Sequence, residues 1–131
     1  MSELLEVKYI SPKKGRGVIA KKIIKKYTVV ELANVVLIPN NDYDLIQDTI
    51  LYHYIYEWND PNNNGDKTNA IALSISQFFN HSYTPNLKYI YDYENSTIEY
   101  RAIKDILKGE ELTVNYNGKV KDNTPVWFEV E

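Results

Sequence analysis

Apolar and polar positions alternate over much of this 131-residue chain, and a period of two marks strands with one buried face. Leu5, Val7 and Tyr9 fall on one side of residues 4–10, and Pro12 ends that strand. A loop, Lys13-Lys14-Gly15-Arg16-Gly17, follows, and Val18-Ile19-Ala20 leaves it as a second strand. Residues 27–38 read as one β-rich stretch, broken around Asn34 and closed by Pro39. Asn40-Asn41-Asp42 predicts a turn and cap for a short helix over 43–50, where Leu45, Ile46 and Thr49 have helical spacing. Residues 51–58 place Tyr52, Tyr54, Tyr56 and Trp58 at period two, which predicts a strand with an aromatic face turned to the core. Residues 60–69 are loop-like, residues 74–79 fit one helical turn, and residues 80–86 are irregular. Residues 87–93 and 97–102 alternate cleanly about Glu94-Asn95-Ser96 and predict a hairpin. A last strand covers residues 112–116, and no internal repeat is evident.

This pattern is that of a mainly β protein with little helix. The length fits one domain with a core of its own. The absence of cysteine excludes disulfides, thiolate-held zinc and a thiol nucleophile. No apolar run has the roughly 18 residues of a membrane span, and residues 1–10 lack the form of a secretion signal. A cytoplasmic location is expected, with a nuclear one compatible and no membrane partner. Residues 1–26 carry eight basic groups against Glu3 and Glu6, a net of +6, so the overall −3 leaves −9 for residues 27–131. Apolar residues interleave with the basic ones and suggest lysines on solvated strand faces, so nucleic acid is not the expected partner. The acidic remainder would instead attract a basic peptide.

Three segments hold the candidate chemistry: Gly15-Arg16-Gly17, Asn80-His81-Ser82 with Pro85-Asn86, and Gly109-Glu110-Glu111-Leu112 leading to Tyr116. Taken singly each is bland. A Gly-x-Gly permits positive φ and a close backbone approach but is usually a turn. His81 has no second ligand at metal spacing, so no metal is expected. Ser82 lacks a nucleophile elbow, and neighbours on an extended chain point apart, which excludes a Ser82–His81 hydrolase pair.

In their order and intervals, Gly15-Arg16-Gly17-Val18-Ile19-Ala20, Asn80-His81-Ser82-x-x-Pro85-Asn86 and Gly109-Glu110-Glu111-Leu112-x-x-x-Tyr116 resemble the signature motifs of SET-domain protein-lysine methyltransferases. The resemblance implies a β-clip fold of small curved sheets, with residues 80–86 and 111–116 forming a C-terminal pseudoknot. It implies a SET domain over residues 1–118 and a short C-terminal segment, 119–131, packed on it. The implied cofactor is S-adenosylmethionine, held by Lys14, Gly15, Arg16, Gly17, Asn80 and His81, the last through its backbone. Tyr116 matches the catalytic tyrosine, and the implied substrate is a protein lysine in a basic, histone-like segment. The acids Glu57, Asp60, Asp66, Asp92 and Glu94 are candidates to line its approach.

The chain departs from the family pattern in three places. Ser74-Ile75-Ser76-Gln77 stands where a glycine-rich lead and an Arg are common. Val114 stands two residues before the tyrosine, where Phe or Tyr is frequent, so the number of methyls added stays open. With no trailing Cys cluster, Trp127 is left to pack on the cofactor and Phe128 to close a channel formed with Val114 and Tyr116. A homodimer that completes the site is compatible with so small a domain. The alternative reading is a non-catalytic SET-like domain that binds peptide or cofactor without turnover.

Overall fold

The structure is a computed structural model that describes residues 3–62, 68–126 and 130. Asp66, Trp127 and Phe128 lie outside the described residues.

The chain runs β1 (Leu5–Ser11), β2 (Gly15–Ala20), β3 (Val29–Ile38), α1 (Asn40–Ile46), a 3-10 turn (Ile50–Tyr54), β4 (Ile55–Trp58), β5 (Thr68–Ala72), a second 3-10 turn (Ile75–Phe78), β6 (Asn80–His81), β7 (Leu87–Asp92), β8 (Thr97–Ala102) and β9 (Glu111–Val114). The strands form two sheets, one ordered β1-β2-β9-β6 and the other β4-β5-β3-β8-β7. Between them lies a core in which Val18, Ala33, Leu87, Ile98, Tyr100, Ala102, Ile106 and Leu112 have no solvent exposure. Full burial of a large aliphatic or aromatic side chain contributes roughly 1.5–3 kcal/mol, so these inward faces decide which way each strand turns. Along β8, Ile98, Tyr100 and Ala102 are buried while Glu99 and Arg101 between them keep partial exposure and pair with each other at 2.9 Å. The alternation in the sequence is thus realised as two faces of one strand.

Three expectations need correction. Residues 51–58 are not one strand. Ile50–Tyr54 form a 3-10 turn, whose N-cap Thr49 accepts from the Leu51 N–H, and only Ile55–Trp58 are extended. Period two and a tight three-residue turn both fit an alternating run this short, and the Thr49 cap favours the turn. The break expected at Asn34 is instead a change of partner in a continuous strand. β3 follows β8 as far as Asn34 opposite Thr97, and pairs with β5 from Val35 opposite Ala72. The helix also starts earlier than expected, with Pro39 as its N-cap.

The two-residue β6 is parallel to β9, with Asn80 opposite Thr113 and His81 opposite Val114. So short a strand satisfies little of β9, and the buried Asn86 side chain takes over where it stops. Its amide donates to the Glu111 carbonyl at 2.8 Å and accepts from the Thr113 N–H at 2.9 Å, as a neighbouring strand would. The Ser82 N–H adds a bond to the Val114 carbonyl at 2.9 Å. Residues 80–86 and 111–116 are thereby interlocked, as the pseudoknot of a β-clip fold requires.

Candidate active site

β9 is the spine of the site, with a charged cluster at its start and a phenol just past its end. At the start, Gly17 of β2 sits against the side chains of Glu111 and Asn80. A Cβ on Gly17 would fall 2.5 Å from Glu111 Oε2 and 2.7 Å from both Asn80 Nδ2 and Ile10 Cγ1. Gly15 has φ near +65°, a left-handed conformation that other residues adopt at a cost. The glycines therefore let the hairpin backbone close onto a polar knot. Lys14 Nζ donates to Glu111 Oε1 at 2.7 Å, and Asn80 Nδ2 donates to Glu111 Oε2 at 2.7 Å and to the Arg16 carbonyl at 3.2 Å. Lys14 and Glu111 are 22% and 15% exposed, so their ion pair is less screened than a surface pair. The Arg16 guanidinium lies 4.6 Å from the Phe78 ring centre, a cation–π contact across the same junction.

At the other end the chain continues to Tyr116, which is fixed twice. Its N–H donates to His81 Nδ1 at 3.0 Å, and its hydroxyl donates to the Phe79 carbonyl at 2.8 Å. An imidazole that accepts through Nδ1 carries its proton on Nε2, so His81 works here as a neutral ring. Burial lowers its pKa and favours that neutral form, and its ring packs edge-on to Tyr83 at 4.4 Å. The Tyr116 phenol is pushed up to about 12, by burial first and then by the nearby acidic groups of Tyr54, Glu111 and Tyr100. It is therefore protonated at neutral pH and cannot serve as a phenolate base.

Tyr116 and Val114 line a cavity of about 500 Å³ together with Phe79, Tyr54, Tyr56 and Tyr89. The Tyr56 hydroxyl meets that of Tyr100 at 2.7 Å, and Tyr56, Tyr89 and Tyr91 pack edge to face around the wall. Burial raises the pKa of Tyr56, Tyr89 and Tyr91 as well, so this tyrosine part of the wall is polar without being charged, while Glu57 and Lys119 stand elsewhere on the lining. Of the acids expected near the substrate, Glu57 is exposed and lines this cavity. Asp92 instead accepts from Asn95 in the β7–β8 turn, and Asp60 accepts from the Asn62 N–H. Their carboxylates hold local turns.

The residues assigned from sequence fall into two groups joined by β9: Lys14, Gly15, Arg16, Gly17 and Asn80 at its start, and Val114 and Tyr116 at its end. His81 bridges them through strand β6. Three participants were missed. Glu111 was read only as part of a turn motif, and nothing local marks it, because its partners are 31 and 97 residues away. Phe79 acts through its carbonyl, which carries no side-chain signature. Tyr56 was assigned to the core by its periodicity, correctly as to burial, but it also faces the cavity. Beyond β9, the tail as far as Val126 is held by polar contacts, with Asn115 donating to the Asp122 carbonyl at 2.7 Å and Asn117 to the Thr124 carbonyl at 2.8 Å.

The fold is that of SET domains. The sequence model of the SET domain matches residues 15–117, and the chain belongs to that family. A Schizosaccharomyces pombe protein described as a histone-lysine N-methyltransferase specific for H3 lysine-37 is 31% identical over 120 residues, spanning 91% of this chain and 74% of that protein. Among solved structures, the crystal structure of a Plasmodium falciparum candidate histone methyltransferase superposes with a TM-score of 0.63. The match covers 88% of this chain and 95% of that one at 23% identity, a likeness of fold.

Proposed function

We propose that this protein is a protein-lysine N-methyltransferase that uses S-adenosylmethionine and acts on a lysine in a basic, histone-like segment. The observation that carries the reading is Tyr116, a protonated phenol tied to the Phe79 carbonyl and facing a cavity walled largely by tyrosines. Family membership and the described activity of the S. pombe relative support the same reaction. The cofactor fits the other end of β9. The open backbone at Gly15, the close approach at Gly17, and the Lys14, Asn80 and Glu111 side chains form a cradle suited to a zwitterionic amino-acid group. When bound, S-adenosylmethionine supplies a methyl group on a cationic sulfur.

The work of this chain's own residues follows from the charge balance. A lysine ammonium, with a pKa of ~10.4 in water, has no lone pair until it loses a proton. Tyr54, Tyr56, Tyr89 and Tyr116 strip water from it and offer no carboxylate, which lowers that pKa by desolvation. Glu57, exposed on the cavity lining, attracts the charged chain before it enters. Because the Tyr116 O–H is committed to Phe79, its oxygen lone pairs remain to accept an amine N–H and aim the nitrogen. Transfer is then mainly alignment in a site without competing water. Residues 1–118 form the catalytic domain in this reading, and the segment from 119 packs on it as a short post-domain tail.

The test is label transfer from radioactive S-adenosylmethionine to histones and basic peptides, with Tyr116→Phe as the control. Transfer by the wild type, lowered at least ~10²-fold in kcat by the substitution while S-adenosylhomocysteine binding stays within twofold, is the expected result. Tight cofactor binding with no transfer to any basic protein would establish the non-catalytic alternative.

A further inference from the structure

Next in the chain to the two strands that carry the Gly17–Glu111 cradle, two loops share a pattern that neither shows alone. Lys22-Ile23-Ile24-Lys25-Lys26 joins β2 to β3, and Lys104-Asp105-Ile106-Leu107-Lys108 joins β8 to β9. Each reads Lys-x-Ile-x-Lys, and residues 21–28 and 103–110 follow the same course of bend, single bridge and turn. They also clasp each other. Ile24 and Ile106 exchange both backbone hydrogen bonds at 2.8 Å and are 1% and 0% exposed. The Asp105 carboxylate, on an exposed residue, reaches across and accepts from the Lys26 N–H at 2.8 Å. The result is one paired-loop knob with Ile24 and Ile106 inside and its lysines outside.

We propose that this paired-loop knob is a docking surface for the phosphate backbone of double-stranded nucleic acid. Lys21, Lys22, Lys25, Lys26, Lys104 and Lys108 are all exposed on it, and they outnumber the neighbouring acids, which are Asp105, bonded to the Lys26 N–H, Glu110 at the end of the second loop, and Glu3, 3.9 Å from Lys22. Six ammonium groups and no guanidinium suit point contacts with phosphates, which position a duplex without reading its sequence. Tyr27 is 68% exposed and lies under the Lys26 ammonium at 5.0 Å, and Ile23 and Leu107 are 55% and 61% exposed, giving an amphipathic rim beside the charge. The contrast with the rest of the chain gives the surface its selectivity. The net −9 of residues 27–131 repels a polyanion, and it includes the two lysines of the second loop, so the acid elsewhere is greater still. None of the six lysines lines the tyrosine cavity. A basic substrate peptide is repelled by the knob and drawn to the Glu57 side, whereas a duplex is drawn to the knob alone. The inference does not depend on the methyl-transfer reading.

The experiment is fluorescence anisotropy of a fluorescein-labelled duplex of mixed sequence titrated with the full chain over a salt series. With about four phosphate contacts, affinity falls on the order of 10²-fold between 50 and 200 mM salt. Lys22→Glu with Lys26→Glu, or Lys104→Glu with Lys108→Glu, each weakens binding at least about tenfold, and the four together abolish it, with unchanged thermal melting. Parallel titrations use phosphatidylserine–phosphatidylcholine vesicles and polyglutamate. Equal duplex affinity in wild type and fourfold variant overturns the proposal, as does no duplex binding at 50 mM salt or tighter binding to vesicles or polyglutamate.

Discussion

The two ends of β9 solve opposite problems with neighbouring residues. At Glu111 a carboxylate, an ammonium and an amide are gathered within bonding distance of a backbone stripped to glycine. Five residues later, Tyr116 is surrounded by phenols kept neutral by burial. The first arrangement holds formal charges in place through partners that can be exchanged, as reversible binding of a charged small molecule demands. The second sets neutral phenols around Tyr116 and leaves the charges of Glu57 and Lys119 to other parts of the lining, as an amine that must shed its proton demands. Because one strand carries both, their separation is set by backbone geometry and not by flexible side chains. A reaction governed by alignment benefits from that rigidity.

The sharpest way to break this contrast is at Gly17. In Gly17→Ala the new methyl displaces the Glu111 carboxylate and the Asn80 amide, the side-chain ends nearest to it. These groups can move, but only by giving up their bonds to Lys14 and the Arg16 carbonyl. The variant should lose roughly 1–3 kcal/mol in urea denaturation, and its S-adenosylhomocysteine affinity should fall at least tenfold by calorimetry. Undiminished affinity would mean that the glycine serves the hairpin and not the cradle.

A smaller effect separates the ends by pH. His81 is neutral in the fold and accepts from the Tyr116 N–H, with the Tyr83 and Tyr116 rings against it. Its folded pKa lies below the ordinary ~6.5, so between that lower value and 6.5 the unfolded chain binds more protons. The contribution is complete above about 6.5 and is lost as pH falls through the lowered value. Thermal melting should therefore fall on the acid side more steeply in the wild type than in His81→Gln, which has no such proton to take up. At neutral pH that variant should be the weaker fold by about 1–3 kcal/mol wherever its amide fails to reach Tyr116. Parallel acid limbs in the two proteins would remove His81 from this role.

The sequence made the ordered motifs legible, and with them the family, because Asn80, His81, Asn86 and Tyr116 keep fixed intervals. It also showed the β7–β8 hairpin, since the alternation of Ile98, Tyr100 and Ala102 is the burial pattern itself. What it could not show were relations across long separations. The Lys14–Glu111 pair spans 97 residues, and the reach of Asn86 to β9 depends on a strand crossing that no local signal encodes. The Lys-x-Ile-x-Lys repeat was overlooked for a similar reason. Five residues with two free positions are too little to recognise until Ile24 and Ile106 are seen to bond each other.

The mildest test of the comparison is Glu111→Gln, which leaves the shape and changes one charge. The amide oxygen still accepts from Asn80, while Lys14 loses its counter-charge. A partly exposed pair of this kind contributes about 1 kcal/mol or less, so the fold should survive with little change in melting. If the two ends of β9 are functionally separate, the loss appears as a cofactor KM raised severalfold, larger at low salt where the lost charge was least screened, with kcat nearly constant. A fall in kcat at constant KM would mean that the Glu111 charge is felt at the phenol, and Glu111 is already one of the groups that raise the Tyr116 pKa. The strand would then act as one electrostatic unit, and the division between a charged end and a neutral end would have to be given up.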